Sequence, residues 1–154
     1  MCKAIYFDMD GTIADLYSVE NWEPKLRSFD PSPYVEAAPM YNMRVLNTIL
    51  EEIAAYGITI GVISWLAIGS SKEYKREVRK AKRQWIEKYL PAATEVHFIG
   101  YGQSKKNVAK IKDSILIDDN PKVREAWKGE TIDATGNILI KLLEILEQVS
   151  KITN

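Results

Sequence analysis

The chain has 154 residues, 46% hydrophobic and 27% charged, with 21 Lys and Arg balancing 21 Asp and Glu; this excludes a disordered chain and fits one domain, 1–154, with a real core. No apolar run approaches the ~18 residues of a membrane span, and the first thirty residues hold carboxylates without a signal-peptide layout, so a cytoplasmic protein is expected. The single cysteine, Cys2, excludes an internal disulfide and a cysteine zinc cluster, which fits a reducing compartment.

In chain order, the apolar run 4–7 reads as a buried strand ending at Asp8. Residues 14–40 carry Pro24, Pro31, Pro33 and Pro39 and read as an irregular insert beside that strand's C-terminal end. Met43, Leu46, Leu50 and Ile53 repeat at helical spacing before Gly57, a C-terminal stop. A β-branched run, 58–63, predicts a second strand, ending at Ser64. A long charged helix follows over 71–89, with Tyr74, Val78, Ala81, Trp85 and Tyr89 on one side and Pro91 closing it. The run 96–99 predicts a third strand, within which His97 reads as a core histidine. Residues 104–112 read as a short helix with Ser104 as N-cap. The run 115–117 predicts a fourth strand, ending at Asp118-Asp119, and Asn120-Pro121 reads as a cap and first position leading into 123–127. A weaker strand over 131–134 and an amphipathic helix over 138–149 complete the chain. Strands alternating with helices predict an α/β fold, a doubly wound parallel sheet with helices on both faces.

The chemistry gathers at strand ends. Asp8-Met9-Asp10-Gly11-Thr12 puts two carboxylates two residues apart directly after a buried strand. Two close anions demand a counter-charge, and oxygen donors suit Mg²⁺. Gly11 permits a sharp turn and close ligand approach. Asp118-Asp119 repeats the layout, and parallel neighbouring strands would bring these acids beside Asp8 and Asp10. Ser64 could donate to a phosphate oxygen. Lys105, in Gly102-Gln103-Ser104-Lys105-Lys106, could neutralise phosphate charge at a helix N-terminus, with Lys106 as the alternative if the register is shifted by one.

This order of acid-x-acid-Gly-Thr, hydroxyl, lysine and acid pair resembles the phosphatase branch of the haloacid dehalogenase superfamily. The stretches 7–17 (FDMDGTIADLY) and 116–120 (LIDDN) are most similar to deoxyribonucleotidase-type members and small bacterial and phage phosphatases. The resemblance implies a three-layer Rossmann-like core with strand order 5-4-1-2-3 and Mg²⁺ as cofactor. It also implies roles. Asp8 would be the nucleophile, forming an aspartyl phosphate. Asp10 would protonate the leaving oxygen, then activate water, and its backbone carbonyl would ligate the metal with Asp8 and Asp118. Thr12 would steady the loop near the phosphate, Ser64 would bind a phosphate oxygen, Lys105 would offset charge at Asp8, and Asp119 would support the ligands. Dehalogenating members lack an acid equivalent to Asp10, because a halide leaves without a proton.

The expected substrate is a small phosphomonoester, with a nucleotide or deoxynucleotide phosphate leading. Residues 14–40 are far shorter than the helical cap of the nucleotidases, so a minimal cap and an open site are expected. Trp22, Phe29 and Tyr34 could stack on a base or form a mini-core under the insert, and Trp65 could line the pocket mouth. Zero net charge hides a balance of +6 over residues 61–130, and residues 72–88 hold eight Lys and Arg against three Glu. That helix reads as a solvated face, with attraction to a polyanion as the other possibility; a polynucleotide end is therefore the second substrate class. A non-hydrolytic phospho-acceptor or binding domain is the reading from another class, since response-regulator receivers also gather Asp, Mg²⁺, hydroxyl and lysine on a doubly wound sheet. There, however, the acid pair precedes the phospho-acceptor.

Overall fold

The computed structural model describes residues 1–69 and 71–153, except for the side chain of Thr153. The elements run β1 (Ala4–Phe7), β2 (Ala14–Asp15), α1 (Trp22–Arg27), α2 (Ser32–Glu36), β3 (Ala38–Pro39), α3 (Met43–Ala55), β4 (Thr59–Trp65), α4 (Lys72–Tyr89), β5 (Glu95–Ile99), β6 (Ser114–Asp118), α5 (Pro121–Ala126), β7 (Thr131–Asp133) and α6 (Ile138–Thr153). Five strands form a parallel sheet in the order β5-β4-β1-β6-β7, while β2 and β3 form a separate antiparallel ribbon. This corrects the expected 5-4-1-2-3 as a numbering: the insert contributes two short strands that its prolines had concealed, and these take the second and third places in the chain.

The α/β architecture follows from the apolar pattern. Every residue of β1 is buried because β4 and β6 flank it and both faces are covered. Ile5, Phe7, Ile60, Val62, Ile115 and Ile117 face a core shared with Leu46, Leu50 and Ile53 of α3 and Ile138, Leu142 and Ile145 of α6. Ala4, Tyr6, Ile63 and Leu116 face the other way, onto Trp127, with Val123 of α5 packed against them. The caps are local: Asn42 accepts from the Val45 amide, Ser71 from Tyr74 and Asn120 from Lys122. Among the described residues no helix is long and apolar enough to cross a membrane.

Two elements differ from the sequence expectation. The insert is ordered, with two short helices where an irregular loop was expected. Pro24 lies in the first turn of α1, Pro31 at the N-cap of α2 and Pro33 in its first turn. A proline there sacrifices no helical hydrogen bond, so these prolines start helices instead of breaking them. Conversely, the helix expected over 104–112 is only a 3₁₀ turn, Lys105–Asn107, and the Ser104 side chain makes no capping bond. Ala109 and Ile111 both pack against the Tyr6–Leu116 face. That two-residue spacing belongs to extended chain, not to a helix.

The insert is fastened to α4. Trp85, buried at 2% exposure, donates its indole N–H to the Ala37 carbonyl at 2.7 Å. Trp85→Phe keeps one aromatic ring but is smaller than the indole, so that carbonyl loses its donor and a small cavity opens in the core. It is expected to lower unfolding free energy by about 1–3 kcal/mol, read as a lower denaturant midpoint with unchanged slope.

Candidate functional site

The sheet register brings the two acid clusters together. Phe7 lies opposite Ile117 on adjacent parallel strands, so Asp8 and Asp118 emerge side by side at the same sheet edge. The Asp8 amide donates to the Ile117 carbonyl at 2.9 Å, which fixes the exit of β1. The chain then turns tightly: the Met9 carbonyl accepts from the amides of Thr12, Ile13 and Ala14 at 3.2, 3.0 and 3.0 Å. Gly11 makes this turn at φ 79°, and a Cβ there would lie 2.7 Å from Asp119 Oδ2 and 2.9 Å from the Tyr17 ring. The position therefore needs glycine both for its backbone angle and for the approach of Asp119. Thr12, fully buried, ties the two acid loops together. Its hydroxyl lies 3.2 Å from Asp8 Oδ2 and 3.3 Å from Asp119 Oδ1, and accepts from the Asp119 amide at 3.2 Å.

Two buried lysines meet these acids. Lys105 donates to Asp8 Oδ1 at 2.6 Å and to Asp118 Oδ2 at 2.8 Å, bridging the strand ends. Lys106 is exposed, so of the two neighbouring lysines it is Lys105 that the fold brings to the acids. The second lysine, Lys82 of α4, was not singled out from the sequence. It is fully buried and donates to Asp10 Oδ2 at 2.5 Å, Ser64 Oγ at 2.8 Å and the Trp65 carbonyl at 2.7 Å. The signal was present: Tyr74, Val78, Ala81, Lys82, Trp85 and Ile86 form the buried stripe of α4, with Lys82 one helical turn from both Val78 and Ile86.

The acids divide into two groups. Carboxylate oxygens of Asp8, Asp118 and Asp119 all lie within 4.8 Å of one another, a donor set that could hold a metal ion. The Asp10 side chain is not part of this set and is engaged by Lys82. With every group ionised, the four carboxylates outnumber the two ammoniums by two charges, the deficit one divalent cation would fill. Burial raises the Asp10 carboxyl above the ordinary carboxylate range, against the opposing pull of Lys82. Burial, then the charge of Asp8, pushes Asp118 up to about 6, with Lys105 opposing. Asp119 is raised by the same two causes, burial first.

A cleft of about 540 Å³ opens onto this cluster, with Asp8, Asp10, Lys105, Asp118 and Asp119 in its lining. Aromatic pairs stand along it. Tyr17 and Trp22 meet edge-on at 5.1 Å, and Trp65 and Tyr101 lie 5.2 Å apart. The Trp65 ring also lies 5.4 Å from the Lys105 ammonium, and its indole donates to the Gln103 carbonyl at 2.9 Å. Trp22 and Tyr34 line the cleft, whereas Phe29 packs outside it on Tyr74 at 5.3 Å. Thr12 and Ser64 are fully buried beside the cleft and do not line it. Ser64 serves Lys82 directly. His97, half-buried, pairs with Glu95, which also accepts from the Tyr6 hydroxyl, away from the cleft.

No family model matches the chain, and no curated protein matches it.

Asp118 gives the cluster a pH dependence. Its folded pKa, about 6, exceeds the ordinary 3.8, so without metal its contribution to stability is complete below 3.8 and is lost as pH rises through 6. A bound cation favours the anion and opposes that loss. Millimolar divalent cation is therefore expected to raise the melting temperature more at about pH 7 than at about pH 5, read by thermal melts.

Proposed function

We propose that this chain is a Mg²⁺-dependent phosphomonoester hydrolase of the haloacid dehalogenase type, with Asp8 as nucleophile. One observation carries the reading: the acids that end β1 and β6 meet at one sheet edge, bridged by Lys105 at 2.6 and 2.8 Å. In open α/β sheets that edge is where ligands bind. A carboxylate oxygen of Asp8 attacks phosphorus, and the bond to the leaving oxygen breaks as Asp10 supplies its proton. Water then attacks the aspartyl phosphate; Asp10 takes the water's proton, and the bond from phosphorus to Asp8 breaks, releasing inorganic phosphate. Two easier displacements replace one difficult hydrolysis, and a positioned acid–base group contributes ~10²–10⁴-fold. Lys105 offsets the charge gathered between Asp8 and the phosphoryl group. Asp8, Asp118 and the Asp10 carbonyl would hold Mg²⁺, with Asp119 beside them; the ion would stabilise phosphoryl charge as a Lewis acid when bound.

The substrate class we favour is a nucleotide or deoxynucleotide monophosphate. The cleft volume of about 540 Å³ and the Tyr17, Trp22, Trp65 and Tyr101 rings support a small ligand carrying a planar group. In this reading the insert is a minimal cap. A polynucleotide end has less support, because no side chain of the basic helix α4 is part of the cleft lining.

The test is a phosphate-release screen with Mg²⁺ over nucleoside monophosphates, sugar phosphates and phosphorylated oligonucleotides. Asp8→Asn is expected to abolish turnover while circular dichroism and melting stay near wild type, and chelation of the metal is expected to stop the wild type. Unchanged turnover in Asp8→Asn would rule out the covalent route. A phosphorylated protein that persists for minutes would favour the phospho-acceptor reading.

A further inference from the structure

Among the described residues, Lys82 is the one buried charge of α4. Burying an ammonium is costly unless its donors are all met. Here they are: the three N–H groups go to Asp10 Oδ2, Ser64 Oγ and the Trp65 carbonyl, and the Tyr34 ring lies 4.7 Å away. Two of those acceptors belong to the end of β4, the strand beside β1, so the tripod stands on the sheet itself. The Asp10 carboxyl is thereby held asymmetrically. Oδ2 carries a charge-assisted bond, while Oδ1 is buried with no hydrogen-bond partner.

We infer that Lys82 is a positioning residue for Asp10: its grip on Oδ2 holds the carboxyl in one orientation at the cleft for proton exchange with the leaving oxygen and the attacking water. The inference rests on the phosphatase reading above. Partial rotation of the carboxyl about its Cβ–Cγ bond would turn it out of this orientation, and the bond to Lys82 opposes this. In the first step the O–H bond of the Asp10 carboxyl breaks and the proton passes to the departing oxygen as its bond to phosphorus breaks. In the second step the Asp10 carboxylate takes a proton from water as the water oxygen bonds to phosphorus and Asp8 is released. Placing such a group to within about 0.5 Å needs support from rigid elements, which α4 and β4 supply.

The test is pre-steady-state kinetics with Mg²⁺ on the wild type, Lys82→Met, Asp10→Asn and the double variant. The substrates are p-nitrophenyl phosphate and the phosphate ester of a simple alkyl alcohol. On the alkyl ester, Lys82→Met is expected to lose about 10²-fold or more in kcat, with KM changed by less than about threefold. On the aryl ester it is expected to release a rapid burst near one equivalent of p-nitrophenolate, then turn over slowly. That leaving group departs without a proton, whereas hydrolysis of the aspartyl phosphate still needs Asp10. Adding Lys82→Met to Asp10→Asn should cause no further loss. Lys82→Gln, which keeps a neutral donor, should show the same signature in weaker form.

A parallel fall on both esters without a burst overturns the inference, as does an additive loss in the double variant or a raised KM with intact kcat. Failure of both Lys82 variants to fold overturns it too, since Lys82 would then serve the scaffold alone. If the wild type shows no Asp8-dependent phosphate release, the phosphatase reading fails and the role of Lys82 falls with it. That outcome is distinct from an active wild type whose Lys82 variants keep their full rate.

Discussion

Mutual repulsion among four aspartates is the constraint around which the molecule is arranged. Asp8, Asp10, Asp118 and Asp119 leave two adjacent parallel strands at one edge, where partial burial strengthens every charge interaction. Such a cluster persists only if cations reach it, and the chain sends two lysines by different routes. Lys105 arrives from the loop after β5 and spans Asp8 and Asp118. Lys82 arrives from the middle of α4 and holds Asp10. Each ammonium is buried, so its charge is little screened by solvent, and each holds named carboxylate oxygens in place.

The sheet contributes geometry that side chains alone could not. Register between β1 and β6 sets the separation of the two acid loops, and the Thr12 hydroxyl joins the loops behind the carboxylates. Gly11 then lets Asp119 approach closer than any other residue would permit. The cleft is framed by rings from two unrelated parts of the chain. Tyr17 and Trp22 come from the insert, and Trp65 and Tyr101 from the ends of β4 and β5.

Much of this was legible in the residues because buried parallel strands have a plain signature. Short apolar runs ending in Asp8, Ser64 and Asp118 gave the α/β class, and the ends of β1 and β6 gave the acid clusters. What escaped was governed by tertiary context. Lys82 sits in a helix whose eight Lys and Arg read as a solvated face; only its place in the apolar stripe sets it apart, and a stripe position says nothing of which partner waits across it. The prolines of the insert read as breakers, yet they occupy the few helix positions where a missing N–H is harmless. The expected helix after Ser104 failed because Ala109 and Ile111 must both reach the sheet. Ser64 was read as a phosphate donor from its place at a strand end, but its oxygen also lies where a lysine needs an acceptor.

The fastening of the insert has a further consequence. Tyr34 is at once a wall of the cleft and the aromatic floor beneath Lys82, and the Ala37 carbonyl three residues on is pinned to α4 through Trp85. Residues 14–40 are thus no detachable module. Replacing this segment with one of another length would remove the ring beneath Lys82 and leave only its three hydrogen bonds. The shape of the cleft wall and the surroundings of the Lys82–Asp10 pair share a single phenol ring, and a change at Tyr34 reaches both.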